Sequence, residues 1–555
     1  MRRTLFAALA LALSCTGHAA TLFHNGRIRT LDEAQPLVEA MLVDDGGRVI
    51  ALGDSSDLLE RYADAARHDL AGAHVLPGLI DAHGHVAGLG SALLSADLVG
   101  ATSKADIVRR LREFEANLPD GAWLTGRGWD QNRWENTDFP TAADLDEAFP
   151  GRPVWLRRVD GHAGWANSAA LATVKRPLEG DWQPEGGLIL RGGDGRATGV
   201  FIDTAMNLVD EAMPPPDRAL RQRALDMAVA EAARLGLTGV HDAGVDLDTL
   251  ALMRERADAG RLPIRIYAMA DGDGATLDWL CENGAYAHPG GRLQMRAVKL
   301  YMDGALGSRG AALLRDYADD PGNRGLLVTA ADRLAAAVTR ADRCGIQVAT
   351  HAIGDRGNRL VLDVYAALDA EGRDARRARI EHAQIVHPDD IARFAAEKVI
   401  ASMQPVHATS DMPWAAARVG LQRLRGAYAW QRFGSHGTRM AFGSDFPVEA
   451  VNPFHGLYAA ITRQDAEGQP EGGWLPDQRL DLLAALQGFT SGAAYAGFAE
   501  DDLGSLAVGK RADFIIVDRD VFSVPPAQVR ATVVHSTWLD GRQVHPLLPA
   551  AGVAQ

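Results

Sequence analysis

Cysteine, positive charge and long apolar runs are what this 555-residue sequence has least of. Its three cysteines include no paired C-x-x-C arrangement, which excludes a cysteine-ligated zinc module and a small fold built on disulfides. Lys and Arg number 57 against 72 Asp and Glu, a formal net charge of −15. Holding nucleic acid over a broad surface needs clustered Lys and Arg, so the expected partner is a small molecule. Beyond the N-terminus no stretch approaches the ~20 apolar residues that cross a bilayer, and no stable membrane span is expected. Low-complexity tracts are missing too. With 47% hydrophobic and 23% charged residues the composition is that of a soluble globular protein, and a homo-oligomer is compatible with it.

What is present begins with Met1-Arg2-Arg3, an apolar run from Leu5 to Leu13 and the small residues Gly17-His18-Ala19-Ala20. That is the layout of a secretory signal peptide over residues 1–19, and it predicts a secreted or periplasmic protein. A lipoprotein attached through Cys15 is the alternative. Cleavage leaves Cys281 and Cys344, for which two buried free thiols are expected, a single disulfide being the other reading.

Between Leu22 and about Leu70 short β-rich runs alternate with Asn-Gly and Asp-Asp-Gly-Gly turns, and Gly504 to Val544 shows the same texture. Residues 20–74 and 500–555 are therefore expected to build one small β-sandwich from both termini. The intervening 75–499 alternates strands with helices, the pattern of parallel βα units. Eight strand candidates end near His85, Asp242, Met269, Lys299, His351, His382, Gln404 and Asp445, with helical spacing at Leu220–Leu235, Ala331–Cys344 and Gly357–Leu368 between them. The fold class is α/β, a (β/α)8 TIM-like barrel. Roughly 150 residues separate the first two strands, far more than one helix needs, so an inserted subdomain is placed at about 100–220. It holds GWDQNRW, the run PVWLRRVDGHAGWANSAAL read as a strand, and EGGLILRGGDGRATG, which lacks a Gly-Lys-Ser/Thr ending and reads as a hairpin.

Chemistry concentrates at the strand ends. His83 and His85 alternate on a strand terminus, so both imidazoles can face one ion, although a lone H-x-H is as readily structural. His351, His382 and Asp445 also close strands, and a barrel brings its C-terminal strand ends together on one face. Four imidazoles and a carboxylate suit one or two divalent ions, zinc first, with manganese, iron, cobalt or nickel as alternatives. Lys299 lies in the apolar AVKLYMDG. Burial lowers such an amine's pKa and opens it to carboxylation by carbon dioxide; snorkelling or pairing with Asp303 is the other outcome.

These segments resemble a known family. VLPGLIDAHGH, the Lys299 strand, His351, His382 and GSDFP resemble the metal-site signature of the amidohydrolase superfamily. The insert, GWDQNRW, DGHAGWANSAAL, DGALGSRGAAL and HAIGDRGN resemble its branch containing N-substituted formamide deformylases. The resemblance implies that His83, His85 and Asp445 hold one metal and His351 and His382 a second, with carboxylated Lys299 between them. It also implies that Asp445 is the catalytic proton carrier in attack by a metal-activated hydroxide on a non-peptide C–N bond, that of an N-substituted formamide or N-acyl amine. A deaminase or cyclic-amide hydrolase on the same site is the alternative, and a non-catalytic binding barrel the alternative of another class.

The remaining polar residues have weaker signals. Trp129, Asp130, Arg133, Trp134 and His162 could form a substrate-binding lid or an ordinary domain interface. Ser308 and Arg309 could meet a substrate carboxylate or carbonyl. Asp242 is expected to cap the helix after its strand rather than orient a ligand, and Asp355 and Asn358 to cap the fifth helix. Glu381 precedes His382 in a strand, so it should face away from the site as a scaffold ion-pair member.

Overall fold

Parallel strands whose residues are buried on both faces need helices around them, and the chain supplies both. The computed structural model describes residues 20–116, 118–119 and 121–546. The signal-peptide segment and Cys15 lie outside the described residues. The barrel strands are β1 (Leu79–Gly84), β2 (Leu237–Val245), β3 (Arg265–Asp271), β4 (Leu293–Tyr301), β5 (Gln347–Ala352), β6 (Arg379–His382), β7 (Ile400–Met403) and β8 (Met440–Phe442). They pair in sequence order, all parallel. β8 meets β1 through the turn beyond it. There Asp445 N–H donates to His83 O at 2.7 Å, His85 N–H donates to Phe446 O at 2.8 Å, and Ser444 Oγ donates to the Asp81 carboxylate at 2.6 Å.

The helices between strands are amphipathic and capped. Ala331–Arg343 buries Leu334, Ala337, Val338 and Ala341, a three-to-four spacing that makes one apolar stripe. Asp217 and Asp246 cap Arg218–Arg234 and Leu247–Asp258 by accepting the N–H of Leu220 and Thr249.

The insert lies between β1 and β2. Its six-stranded sheet runs in the order Gly187–Arg191, Ala197–Asp203, Ala163–Ala166, Val154–Arg158, Leu124–Trp129, Ala96–Asp97, around its own core of Leu98, Leu111, Leu124, Trp129 and Trp165. The Gly-rich segment is the antiparallel hairpin its sequence suggests. PVWLRRVDGHAGWANSAAL is not one strand. Asp160-Gly161 turns the chain, with Gly161 at φ +77° and the Asp160 side chain accepting His162 N–H, so the two halves pair antiparallel.

Strands from both termini build the sandwich. His74–Pro77, which leads into β1, pairs antiparallel with Phe514–Val517, and in the core Phe514 and Trp538 stack while Phe23 meets both edge-on. At the barrel foot Arg265, the first residue of β3, pairs with Asp513 at 2.7 Å and Asp540 at 2.6 Å, joining the barrel to this sandwich. Among the described residues no helix is long and apolar enough to cross a membrane.

The two cysteines are not free. Cys281, in the helix Ala275–Asn283 after β3, is bonded to Cys344 at the end of Ala331–Arg343 after β4. Consecutive barrel helices pack side by side, which sets the two Cα atoms 5.1 Å apart, within bridging range.

Candidate metal centre

Six groups from five strand ends converge at the barrel mouth. His83 and His85 leave β1 with Nε2 atoms 3.5 and 3.1 Å from Asp445 Oδ1. His382 ends β6, its ring centroid 4.9 Å from that of His83 and 4.6 Å from that of His351 on β5. Lys299 Nζ, on β4, lies 3.3 Å from His83 Nε2 beneath the Tyr301 ring. It does not pair with Asp303. That carboxylate accepts the amides of Ala312, Ile353 and Gly354, holding the loops after β4 and β5 together.

Two of these residues reach the site through unusual backbone. Asp445 has φ +59° and His382 φ +76°, left-handed conformations that are costly for residues with a Cβ and cluster at functional sites. The turn at His382 explains why Glu381 does not point away as simple alternation predicts. Its Oε2 lies 2.5 Å from His83 Nδ1, and its other oxygen pairs with Arg379 at 2.7 Å.

Electrostatics favour uncharged imidazoles and an ionised carboxylate here. Burial pulls the pKa of His83, His351 and His382 well below the ordinary imidazole value, aided by neighbouring Lys299, so each is neutral with a lone pair to offer. Burial also lowers Lys299. For Asp445, burial works upward but is outweighed by the hydrogen bond to His85 and the nearby His83, His85 and His407, and the group stays ionised.

The donor set fits a divalent cation. His351 Nε2 and His407 Nε2 are buried without hydrogen-bond partners, a costly state for polar atoms unless a ligand meets them. The donor atoms of His83, His85 and Asp445 lie within 4.8 Å of one another, as do those of His382, His407 and Asp445. His407 is the residue that sequence reasoning missed. It sits in the helix Pro405–Val419, stacked on His382 at 5.9 Å with Nε2 3.7 Å from Asp445 Oδ2. Pro405 was a usable signal, since proline favours the first turn of a helix and would have placed His407 just past the end of β7.

The insert adds one more group. His162 has its ring 5.1 Å from that of His351 and its Nδ1 2.6 Å from Asp203 Oδ1. Burial lowers the His162 pKa, but the hydrogen bond and charge of Asp203 more than offset it. Asp203 carried no recognisable signal, yet it explains glycines of DGALGSRG: a Cβ on Gly304 would stand 2.5 Å from Asp203 Oδ2.

Other candidates are corrected. Trp129 is wholly buried in the insert core with its indole N–H on Leu156 O, and Trp134 donates to Ala101 O, so both indoles are engaged within the insert. Asp130 accepts Asn132 N–H and pairs with buried Arg158. Arg309 is engaged by Asp319, which also binds Arg418, and Ser308 Oγ donates to Ala305 O. Asp242 caps the helix Val86–Leu93 by accepting Val86 N–H, whereas Asp246 caps the helix after β2. Asp355 accepts Leu314 N–H and Asn358 donates to the carbonyls of Ala352, Gly354 and Ile385, so they fix loops and leave the N-cap to Gly354.

The chain is similar to known proteins over nearly its whole length. A family model described as the amidohydrolase family matches residues 68–545. YtcJ of Bacillus subtilis (strain 168) is 33% identical over 535 residues, covering 94% of this chain and 99% of that protein. The N-substituted formamide deformylase of Arthrobacter pascens is 28% identical, covering 93% and 96%. Among solved structures, an uncharacterized metal-dependent hydrolase from Pyrococcus horikoshii OT3 superposes with a TM-score of 0.74 at 29% identity, over 92% of this chain and 99% of that one. With that match over most of its length, and with histidines and an aspartate gathered at a barrel mouth, the chain belongs to the amidohydrolase family.

Proposed function

We propose that this C–N hydrolase acts on an N-substituted formamide or N-acyl amine, releasing the acid and the amine. The observation that carries the reading is the gathering of His83, His85, His351, His382, Lys299 and Asp445 at one barrel mouth, where the buried His351 Nε2 finds no hydrogen-bond partner. The deformylase relative supports the substrate class.

In this reading His83, His85 and Asp445 hold one divalent ion, and His351 and His382 a second. Zinc is the first choice, with manganese, iron, cobalt or nickel as alternatives. Burial pushes the pKa of the Lys299 amine down, and once carboxylated it would supply an oxygen ligand to these ions. When bound, such ions polarise a carbonyl and lower the pKa of water from 15.7 toward about 7. Asp445 takes a proton from the attacking water at its carboxylate and passes it to the leaving nitrogen as the C–N bond breaks. A new C–O bond replaces the C–N bond, and the amine departs neutral. His162, fixed by Asp203, contacts the bound amide from the insert side. Two features support export: the signal-peptide layout at the N-terminus and the Cys281–Cys344 disulfide, which suits an oxidising compartment.

The test is a panel of formamides, N-acyl amines, cyclic amides and aminated heterocycles given to zinc- or manganese-loaded protein, with released amine and ammonia measured. Amine from the formamides or N-acyl amines is expected; ammonia alone, or turnover confined to cyclic amides, overturns the substrate class. Lys299→Ala should lose activity and regain part of it with added bicarbonate or short carboxylates, whereas full activity without them refutes the carbamate.

A further inference from the structure

Beneath the metal centre the barrel interior is not filled by branched aliphatic side chains, the usual packing of such a barrel. Arg379, Glu381 and Ser402 are fully buried there, with His241 almost so. The Arg379 guanidinium donates to both oxygens of Glu381 at 2.7 and 3.1 Å, to Ala82 O at 2.7 Å and to Ser402 Oγ at 2.8 Å, and its remaining fork lies 2.9 Å from His241 Nδ1. A buried ion pair of this kind is seldom a net stabiliser, since well-packed apolar residues of the same volume often do as well or better. Its position suggests what it is retained for. Glu381 Oε2 accepts a hydrogen bond from His83 Nδ1–H at 2.5 Å, the tautomer that leaves the Nε2 lone pair facing Asp445 Oδ1 and Lys299 Nζ.

The other ligand group is backed differently. His382 Nδ1 rests on Gln404 Oε1 at 2.8 Å, a neutral amide oxygen. A carboxylate acceptor strengthens an imidazole as a donor more than an amide does, because it stabilises the positive charge that develops on the ring. We propose that Glu381, locked by Arg379, is a positioning residue that makes the two halves of the centre unequal: the ion on His83, His85 and Asp445 is held tightly, and the ion on His351 and His382 is the labile one. This rests on the reading of these residues as metal ligands.

The experiment is a zinc titration of the metal-free full-length protein against a competing chromophoric chelator, with bound metal counted by elemental analysis and the visible spectrum of the cobalt-loaded form as a second readout. Wild type should lose its two ions in separate steps. Glu381→Gln should weaken the tighter ion by about 10–100-fold, leave the weaker one in place and shift the cobalt bands of the first. Should Arg379 without its counter-charge prevent folding, the double variant Arg379→Gln/Glu381→Gln removes both charges at similar shape and should show the same selective loss. Ser402→Ala takes a partner from Arg379 without touching His83 and should bind as wild type. Unchanged affinities in the Glu381 variants, or an equal loss in Ser402→Ala, overturn the inference while leaving the metal centre intact. A wild-type protein that binds no divalent ion sinks the metal-centre reading, and this inference with it.

Discussion

The two ends of the barrel bury charge in opposite ways. At the foot, Arg265 is matched by Asp513 and Asp540, with Arg511 bonded to the same Asp540, and every carboxylate has a partner. At the mouth, His351 and His407 each carry a buried ring nitrogen that nothing in the chain satisfies. Burial alone therefore does not mark a working residue, since Arg265 and Asp513 at the foot are as buried as Asp445 at the mouth. What separates them is whether the protein completes its own hydrogen bonds. A satisfied cluster serves the fold, and an unsatisfied one waits for a ligand.

Substitutions at the mouth should sharpen that contrast most. Asp445→Asn and His83→Ala are expected to lower kcat/KM by about 10³-fold or more, with little change in the far-UV spectrum or in the melting temperature of the metal-free protein. Elemental analysis divides the two jobs of Asp445: metal retained with activity lost supports proton transfer, and loss of both shows only ligation. Near-normal turnover in either variant would break the comparison outright.

At the foot the expected loss is in stability. Arg265→Ala strands the buried Asp513, Asp540 keeping Arg511, and should cost about 3–5 kcal/mol in denaturant unfolding, while kcat per folded molecule stays at the wild-type value. A catalytic defect of the size seen at the mouth would mean that foot and mouth are coupled.

How far these two ends were legible in the sequence follows the same division. Strand-end residues declared themselves, because an acidic or imidazole group at the end of an apolar run is expensive without a purpose; that exposed His83, His85, His351, His382, Asp445 and the barrel carrying them. Pairing across space did not. Nothing local tells that Cys281 and Cys344 lie on neighbouring helices, that Asp203 reaches His162, or that Arg265 meets two aspartates 248 and 275 residues away. Backbone exceptions were equally silent. Period-two alternation sent Glu381 and His382 to opposite sides, and the left-handed turn at His382 brought both to one centre. GWDQNRW left two readings open for a related reason: aromatic and charged residues crowd together in a lid and in a core alike, and only burial distinguishes them.

The insert offers a smaller version of the comparison. His162 is partly open to the site and backed by Asp203, so His162→Ala should lower kcat/KM by about 10–100-fold through one lost charge-assisted hydrogen bond, with metal content unchanged. An unaltered kcat/KM would return His162 to the interface.

Trp129 lies in the same insert, and its indole is satisfied by Leu156 O within a cluster formed with Trp134, Phe139 and Trp165. Trp129→Phe keeps the aromatic packing and removes that hydrogen bond, leaving the carbonyl short of a donor. The expected cost is about 1 kcal/mol in stability, and KM and kcat should match wild type for every substrate in the panel. A raised KM with unchanged stability would be the pattern of a lid, and would show that the insert opens this core to reach what the barrel mouth binds.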